Sequence, residues 1–91
     1  MRYMYKKEIQ VVNEDGLHAR PASDFVNLAK KYQSKIEIMR AGDSKAYNAK
    51  SIVMLMTLGL DRGERAVLQA EGADETEAVD ALAAFVADLR D

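Results

Sequence analysis

The sequence predicts an α+β domain, in which one antiparallel sheet is covered on a single face by helices. Three observations lead there. Apolar residues recur at every second position in four short segments, and at helical spacing in two longer ones. Two of the short segments flank a tight glycine-containing turn, which makes a hairpin and forces antiparallel pairing. The 91 residues, 48% hydrophobic and 31% charged, can build one core but not two, so residues 1–91 read as a single domain.

Tyr5, Lys7, Ile9 and Val11 alternate with Lys6, Glu8 and Gln10, as in a strand with one buried face. Asn13-Glu14-Asp15-Gly16 then breaks the pattern. From Arg20 the period becomes helical. Ala22, Phe25, Val26, Ala29 and Tyr32 share a face, with Leu28 beside them, while Asp24, Asn27, Lys30 and Lys31 point outward. Pro21 suits the first turn, where its missing N–H costs nothing. Lys30 and Lys31 are expected in the last turn, against the negative end of the helix dipole.

Lys35-Ile36-Glu37-Ile38-Met39 alternates again, Ala41-Gly42-Asp43 is a turn, and Lys45-Ala46-Tyr47-Asn48 is a short third strand. Ser51 before and Gly59 after Ile52 to Leu58 are the N-cap and C′ residues of a short helix. Ala66, Leu68 and Ala70 alternate with Arg65, Val67 and Gln69 in a fourth strand. Asp74 is expected to cap the last helix, with Glu77 as its capping-box partner. Val79, Leu82, Phe85, Val86 and Leu89 form its apolar stripe. The order is β-α-β-β-α-β-α: two β-α-β crossings with a hairpin between them, a split, ferredoxin-like arrangement.

Composition excludes several kinds of chemistry. There is no cysteine, hence no disulfide, thiolate metal site or thiol nucleophile, and one histidine cannot make a His-rich metal cluster. A net charge of −2 offers no basic excess for nucleic acid. The longest apolar run, Ile52 to Met56, is too short to span a bilayer. Met1 to Lys6 lack the apolar core of a signal peptide, and a cytoplasmic protein is expected.

The chemistry-bearing segment is Gly16-Leu17-His18-Ala19-Arg20-Pro21-Ala22. It places the lone histidine in a turn that opens onto a helix. Amides at a helix N-terminus lack intrahelical partners and carry partial positive charge, so an anion is stabilised there. Arg20 adds a planar donor suited to phosphate. His18 therefore reads as a nucleophile facing a phosphate cradle. It reads equally as a helix-opening residue whose ring caps a backbone group, with Arg20 a solvated charge.

This segment resembles the active-site signature of the HPr family, the histidine-containing phosphocarriers of the bacterial phosphoenolpyruvate-dependent phosphotransferase system. Asn48-Ala49-Lys50-Ser51-Ile52-Val53-Met54-Leu55-Met56-Thr57-Leu58-Gly59 resembles the family's regulatory-serine segment. Gly72-Ala73-Asp74-Glu75 opens the last helix in the same place. The resemblance runs over essentially the whole chain. It implies an open-faced β-sandwich, with four antiparallel strands and three helices on one face. It implies that His18 accepts phosphate on Nδ1 from phospho-enzyme I and passes it to an EIIA component, through a covalent phosphohistidine and with no cofactor or metal. Arg20 would stabilise the phosphoryl group, and the backbone of Ala19 and Arg20 would offer amides to it. The protein is then a carrier in a relay and not an enzyme with its own substrate pocket. A monomer is expected, since one face must meet several partners.

By the same resemblance Ser51 is the target of HPr kinase/phosphorylase, although its residue type alone says N-cap. Ile52, Met54, Leu55 and Met56 are expected to be partly exposed as a docking patch, because a helix apolar all round cannot bury every side on one sheet. Ser23 and Lys30 would lie on the exposed face of the first helix near His18. Asp15 departs from the family pattern, where Ser or Asn stands. With Gly16 and Pro21 it shapes the opening of the helix, and its carboxylate is expected to repel phosphate and shorten the phosphohistidine lifetime. Two alternatives to sugar uptake are a nitrogen-branch (NPr-type) carrier and a corepressor that binds a transcriptional regulator when Ser51 is phosphorylated.

Overall fold

Alternation of apolar and polar residues produces four strands, and the two central ones bury their apolar faces completely. The computed structural model describes residues 4–90; Met1 to Tyr3, part of the stretch read above for a signal peptide, and Asp91 lie outside the described residues. Strands β1 (Tyr5–Gln10), β2 (Lys35–Arg40), β3 (Tyr47–Asn48) and β4 (Arg65–Glu71) form one antiparallel sheet in the order β1-β4-β2-β3. Leu68 of β4 lies opposite Lys7 of β1 and Ile38 of β2. β1 and β2 both run against β4, so they are parallel to each other with β4 inserted between them. That insertion is the split crossing expected from the element order.

Ile9, Ile36, Ile38, Ala66, Leu68 and Ala70 turn one face of the sheet into the floor of the core. Helices α1 (Ala19–Ala29), α2 (Ile52–Leu58) and α3 (Glu75–Ala87) supply the rest. Phe25 of α1 meets Phe85 of α3 edge to face, with ring centroids 6.2 Å apart. The opposite face is polar, with Lys6, Glu8, Lys35 and Arg65 exposed on it. Gln69 is the buried exception, and its Nε2 donates to Glu37 Oε1 at 3.0 Å. Among the described residues no helix is long and apolar enough to cross a membrane.

The ends of the elements depart from expectation where a distant residue intervenes. α1 closes a turn early. Lys30 is its C-cap, Lys31 lies beyond it, and the last turn carries no basic residue. The Tyr32 carbonyl accepts instead from Lys50 Nζ, 18 positions away, at 2.6 Å. The third strand is two residues long and not four, because Asp43 Oδ1 accepts from the amides of Ser44 and Lys45 and holds the chain out of the ladder. α2 is capped as expected. Ser51 Oγ accepts from the Met54 amide at 3.2 Å, and Gly59 closes the helix at φ 59°.

Asp74 stands at the N-cap of α3 but makes no side-chain cap. Its carboxylate accepts from the amides of Gln33 and Ser34, each at 2.9 Å, and from the Ser34 hydroxyl. Glu75, not Glu77, reaches back, and it accepts from the Gly72 amide at 3.1 Å. Asp74 thereby ties α3 to the segment leading into β2. The Ser34 hydroxyl first, and the Gln33 amide next, hold its pKa below the usual carboxylate value. A depressed folded pKa means stability that is present above the unfolded value and lost as pH falls through the folded one. Asp74→Ala is therefore expected to lower the unfolding temperature at pH 7, with the gap to wild type closing as pH falls below the ordinary Asp value of about 4. Thermal melts on both sides of that value test this, and equal melts at pH 7 would refute it.

Candidate functional site

The site begins with a turn that only glycine can complete. The buried Asn13 donates from Nδ2 to the Gly16 carbonyl at 2.8 Å, while the Gly16 amide donates to the Asn13 carbonyl at 3.2 Å. Gly16 sits at φ 72°, and a Cβ there would meet the Leu60 carbonyl oxygen at 2.6 Å. The next residue, Leu17, is fully buried, and its amide donates to that same oxygen at 2.8 Å. The 13–17 turn is thus pinned side by side with the segment between α2 and β4. Val11 reinforces the pairing, with bonds to Glu64 at 2.9 Å and Gly63 at 2.7 Å.

His18 follows in extended conformation, φ −125° and ψ 168°, as the N-cap of α1. Its side chain caps nothing, and α1 has no acidic residue in its first turn, so the positive end of this helix stays open to an anion. The imidazole is about one-third exposed (36%). Gly59, the residue that closes α2, backs onto it: a Cβ there would lie 3.5 Å from Cε1. On the outer side Nε2 lies 2.7 Å from Asp61 Oδ1.

Ala19 has φ 48°, the left-handed region, which costs a non-glycine residue about 1 kcal/mol or more. It is the first residue of α1, so the strain sits between the imidazole and the helix. Arg20 is exposed beside it and takes part in none of the ion pairs seen among the described residues. Pro21 lies half-buried within the first turn. Asp15 is exposed in the preceding turn.

Ser51 is half-buried at the head of α2. Beyond it Ile52, Val53 and Met56 are 40%, 71% and 47% exposed, and with Thr57 they line an apolar hollow of about 440 Å³. Met54 is half-buried. Leu55 corrects the expectation: at 1% exposure it is core, because it and Leu58 form the side of α2 that faces inward. An unbroken apolar run hides which of its sides is buried. Ser23 and Lys30 are exposed, as expected, but Lys30 is not near the ring: it is the C-cap of α1, whose N-cap is His18, so the length of the helix separates them. Gly59 sets the end of α2 against the histidine, so the helix that carries the apolar hollow ends at His18.

Two roomier hollows lie elsewhere, one between β1 and α3 and one around Arg62 and Arg90. Neither is lined by the histidine. Asp61 is the residue the sequence reading missed. It stands 43 positions from His18, in a loop with no motif of its own, and only the pairing of the two turns brings it near.

The family model described as the PTS HPr component phosphorylation site matches residues 5–88. The chain is 41% identical over 86 residues to a phosphocarrier protein HPr of Buchnera aphidicola subsp. Acyrthosiphon pisum, covering 94% of this chain and 99% of that one. It is 40% identical over 86 residues to the Haemophilus influenzae protein of the same name, with the same coverage. The fold superposes on a crystal structure of phosphocarrier protein HPr from Bacillus anthracis with a TM-score of 0.85 and 42% identity, covering 91% of this chain and 96% of the other.

Proposed function

Since the chain belongs to the HPr family of phosphocarriers of the phosphotransferase system, we propose that His18 takes a phosphoryl group from phospho-enzyme I and hands it to an EIIA component. The observation that carries this reading is a partly exposed imidazole at an uncapped helix N-terminus, with the exposed Arg20 two residues on. A ring nitrogen forms a bond to phosphorus as the donor's bond to phosphorus breaks. Transfer onward reverses this. The α1 dipole and the Arg20 guanidinium favour the phosphoryl charge in both directions, and the partner completes each site.

Docking is assigned to the exposed sides of the two helices that meet at the acceptor: Ser23 and, at the far end of α1, Lys30, with Ile52, Met56 and the neighbouring Val53 on α2. Ser51 is the regulatory site in this reading. A phosphate there would sit at the head of α2, which does not disrupt the fold, yet it would put nearly two negative charges beside the apolar hollow. Desolvation and repulsion would then weaken docking to an acidic partner.

The test is incubation with phosphoenolpyruvate and a bacterial enzyme I, read by intact mass. Wild type is expected to gain one phosphate that is lost in acid and kept in base, and His18→Ala to gain none. No gain by wild type with a competent enzyme I would overturn the reading.

A further inference from the structure

The contact on the outer side of the ring decides which nitrogen can react. A carboxylate is acceptor-only, so a hydrogen bond of 2.7 Å between Asp61 Oδ1 and His18 Nε2 requires the hydrogen to be on Nε2. In the neutral ring the lone pair is then on Nδ1, on the other side of the ring. We propose that Asp61 is a positioning residue, which holds His18 in the Nε2–H tautomer and so keeps Nδ1 ready to attack phosphorus. This rests on the reading of His18 as the phosphoryl acceptor.

Asp61 is itself held in place. Its amide donates to Glu64 Oε1 at 2.9 Å, and the Glu64 amide returns the bond to the Asp61 carbonyl at 3.0 Å. The other Glu64 oxygen pairs with the Arg40 guanidinium. Arg40 in turn donates from Nη2 to the Leu58 carbonyl at 2.6 Å, at the end of α2. The short segment that carries Asp61 is therefore anchored by β2 and by its own far end. An exposed carboxylate without such anchorage would spread over many rotamers and orient nothing.

In the transfer the Nδ1 lone pair becomes the new nitrogen–phosphorus bond while the donor's bond to phosphorus breaks. No proton has to leave the ring, because its single hydrogen is on Nε2. The phosphorylated ring gains positive charge, which the Asp61 carboxylate faces. On donation the bonding pair returns to Nδ1 and the Nε2–H stays where it was. The opposite tautomer would have to move a proton off Nδ1 before it could react.

Long-range proton–nitrogen correlation spectra of nitrogen-15-labelled protein, taken with the ring neutral, separate the two tautomers directly. Wild type is expected to be a single Nε2–H form, and Asp61→Ala a mixture. Asp61→Asn, whose amide can accept from Nε2–H but can also donate to a bare Nε2, is expected to restore the single form only in part. The initial rate of phosphate uptake should fall about two- to fivefold in Asp61→Ala, the range for one solvent-exposed charged contact. An unchanged tautomer pattern in Asp61→Ala, or an altered pattern with a wild-type rate, would overturn the proposal. Wild type that takes no phosphate, while its tautomer still responds to Asp61, would support the positioning and overturn the carrier reading instead.

Discussion

Gly16→Ala is expected to cost about 2–4 kcal/mol of stability and to slow phosphate uptake by His18 roughly tenfold or more. Three effects add. The backbone stays at φ 72°, which an L side chain tolerates poorly. The new methyl lands 2.6 Å from the Leu60 carbonyl oxygen, a backbone atom that cannot swing aside. Moving that strand of chain breaks the bond from the buried Leu17 amide, at a cost of about 1 kcal/mol or more. The same methyl would sit 3.0 Å from the His18 ring and push it off its seat. Gly42→Ala is the control. It has φ 84° but nothing within 4 Å, so it should show only the torsional penalty and transfer phosphate normally. Denaturant unfolding and initial-rate phosphorylation check both variants. A wild-type Gly16→Ala protein would mean that the two turns are not locked together.

Met56→Glu is expected to weaken binding to enzyme I by roughly thirtyfold, the threshold of an interface hot spot, while stability moves by less than about 0.5 kcal/mol. Met56 is about half exposed on α2 and touches the core only in part. A carboxylate there can remain solvated in the free protein but must be desolvated under a partner. Leu55→Glu gives the contrasting result: one position earlier the same charge enters the core and unfolds the domain. Titration calorimetry with enzyme I separates the two variants. Ser51→Asp should weaken binding in the same direction as Met56→Glu. Undiminished binding by Met56→Glu would remove the α2 hollow from the docking surface, and undiminished binding by Ser51→Asp would remove the regulatory reading.

The elements were legible because two periods alternate cleanly along the chain and because serine and glycine bracket α2. His18 and Ser51 were legible as helix-opening residues for a related reason, while their functional reading came from the family resemblance. Each stands at the head of a helix, and each helix is visible from local sequence. The errors share one physical cause. Asp74 looks like a cap to any local rule, but Ser34, 40 positions away, claims its carboxylate. The lysines after Ala29 look like a helical last turn, but Lys50 supplies the terminal contact. Leu55 could not be told from Met54 or Met56 within a uniformly apolar run. Asp61 had no signal, since its meaning depends on a ring delivered by another loop. Local patterning encodes where helices and strands lie, and only tertiary pairing decides which polar side chains meet.

The polar back of the sheet offers an attachment point for instruments. His18, Ser51 and the α2 hollow all lie with the helices, while Lys35 projects from the other side of β2, next to the inward-facing Ile36. The chain contains no cysteine, so Lys35→Cys would be its single thiol. A dye, a spin label or a sensor-chip linker coupled there would leave the transfer surface unobstructed. Every relay partner could then be measured against one uniformly oriented sample.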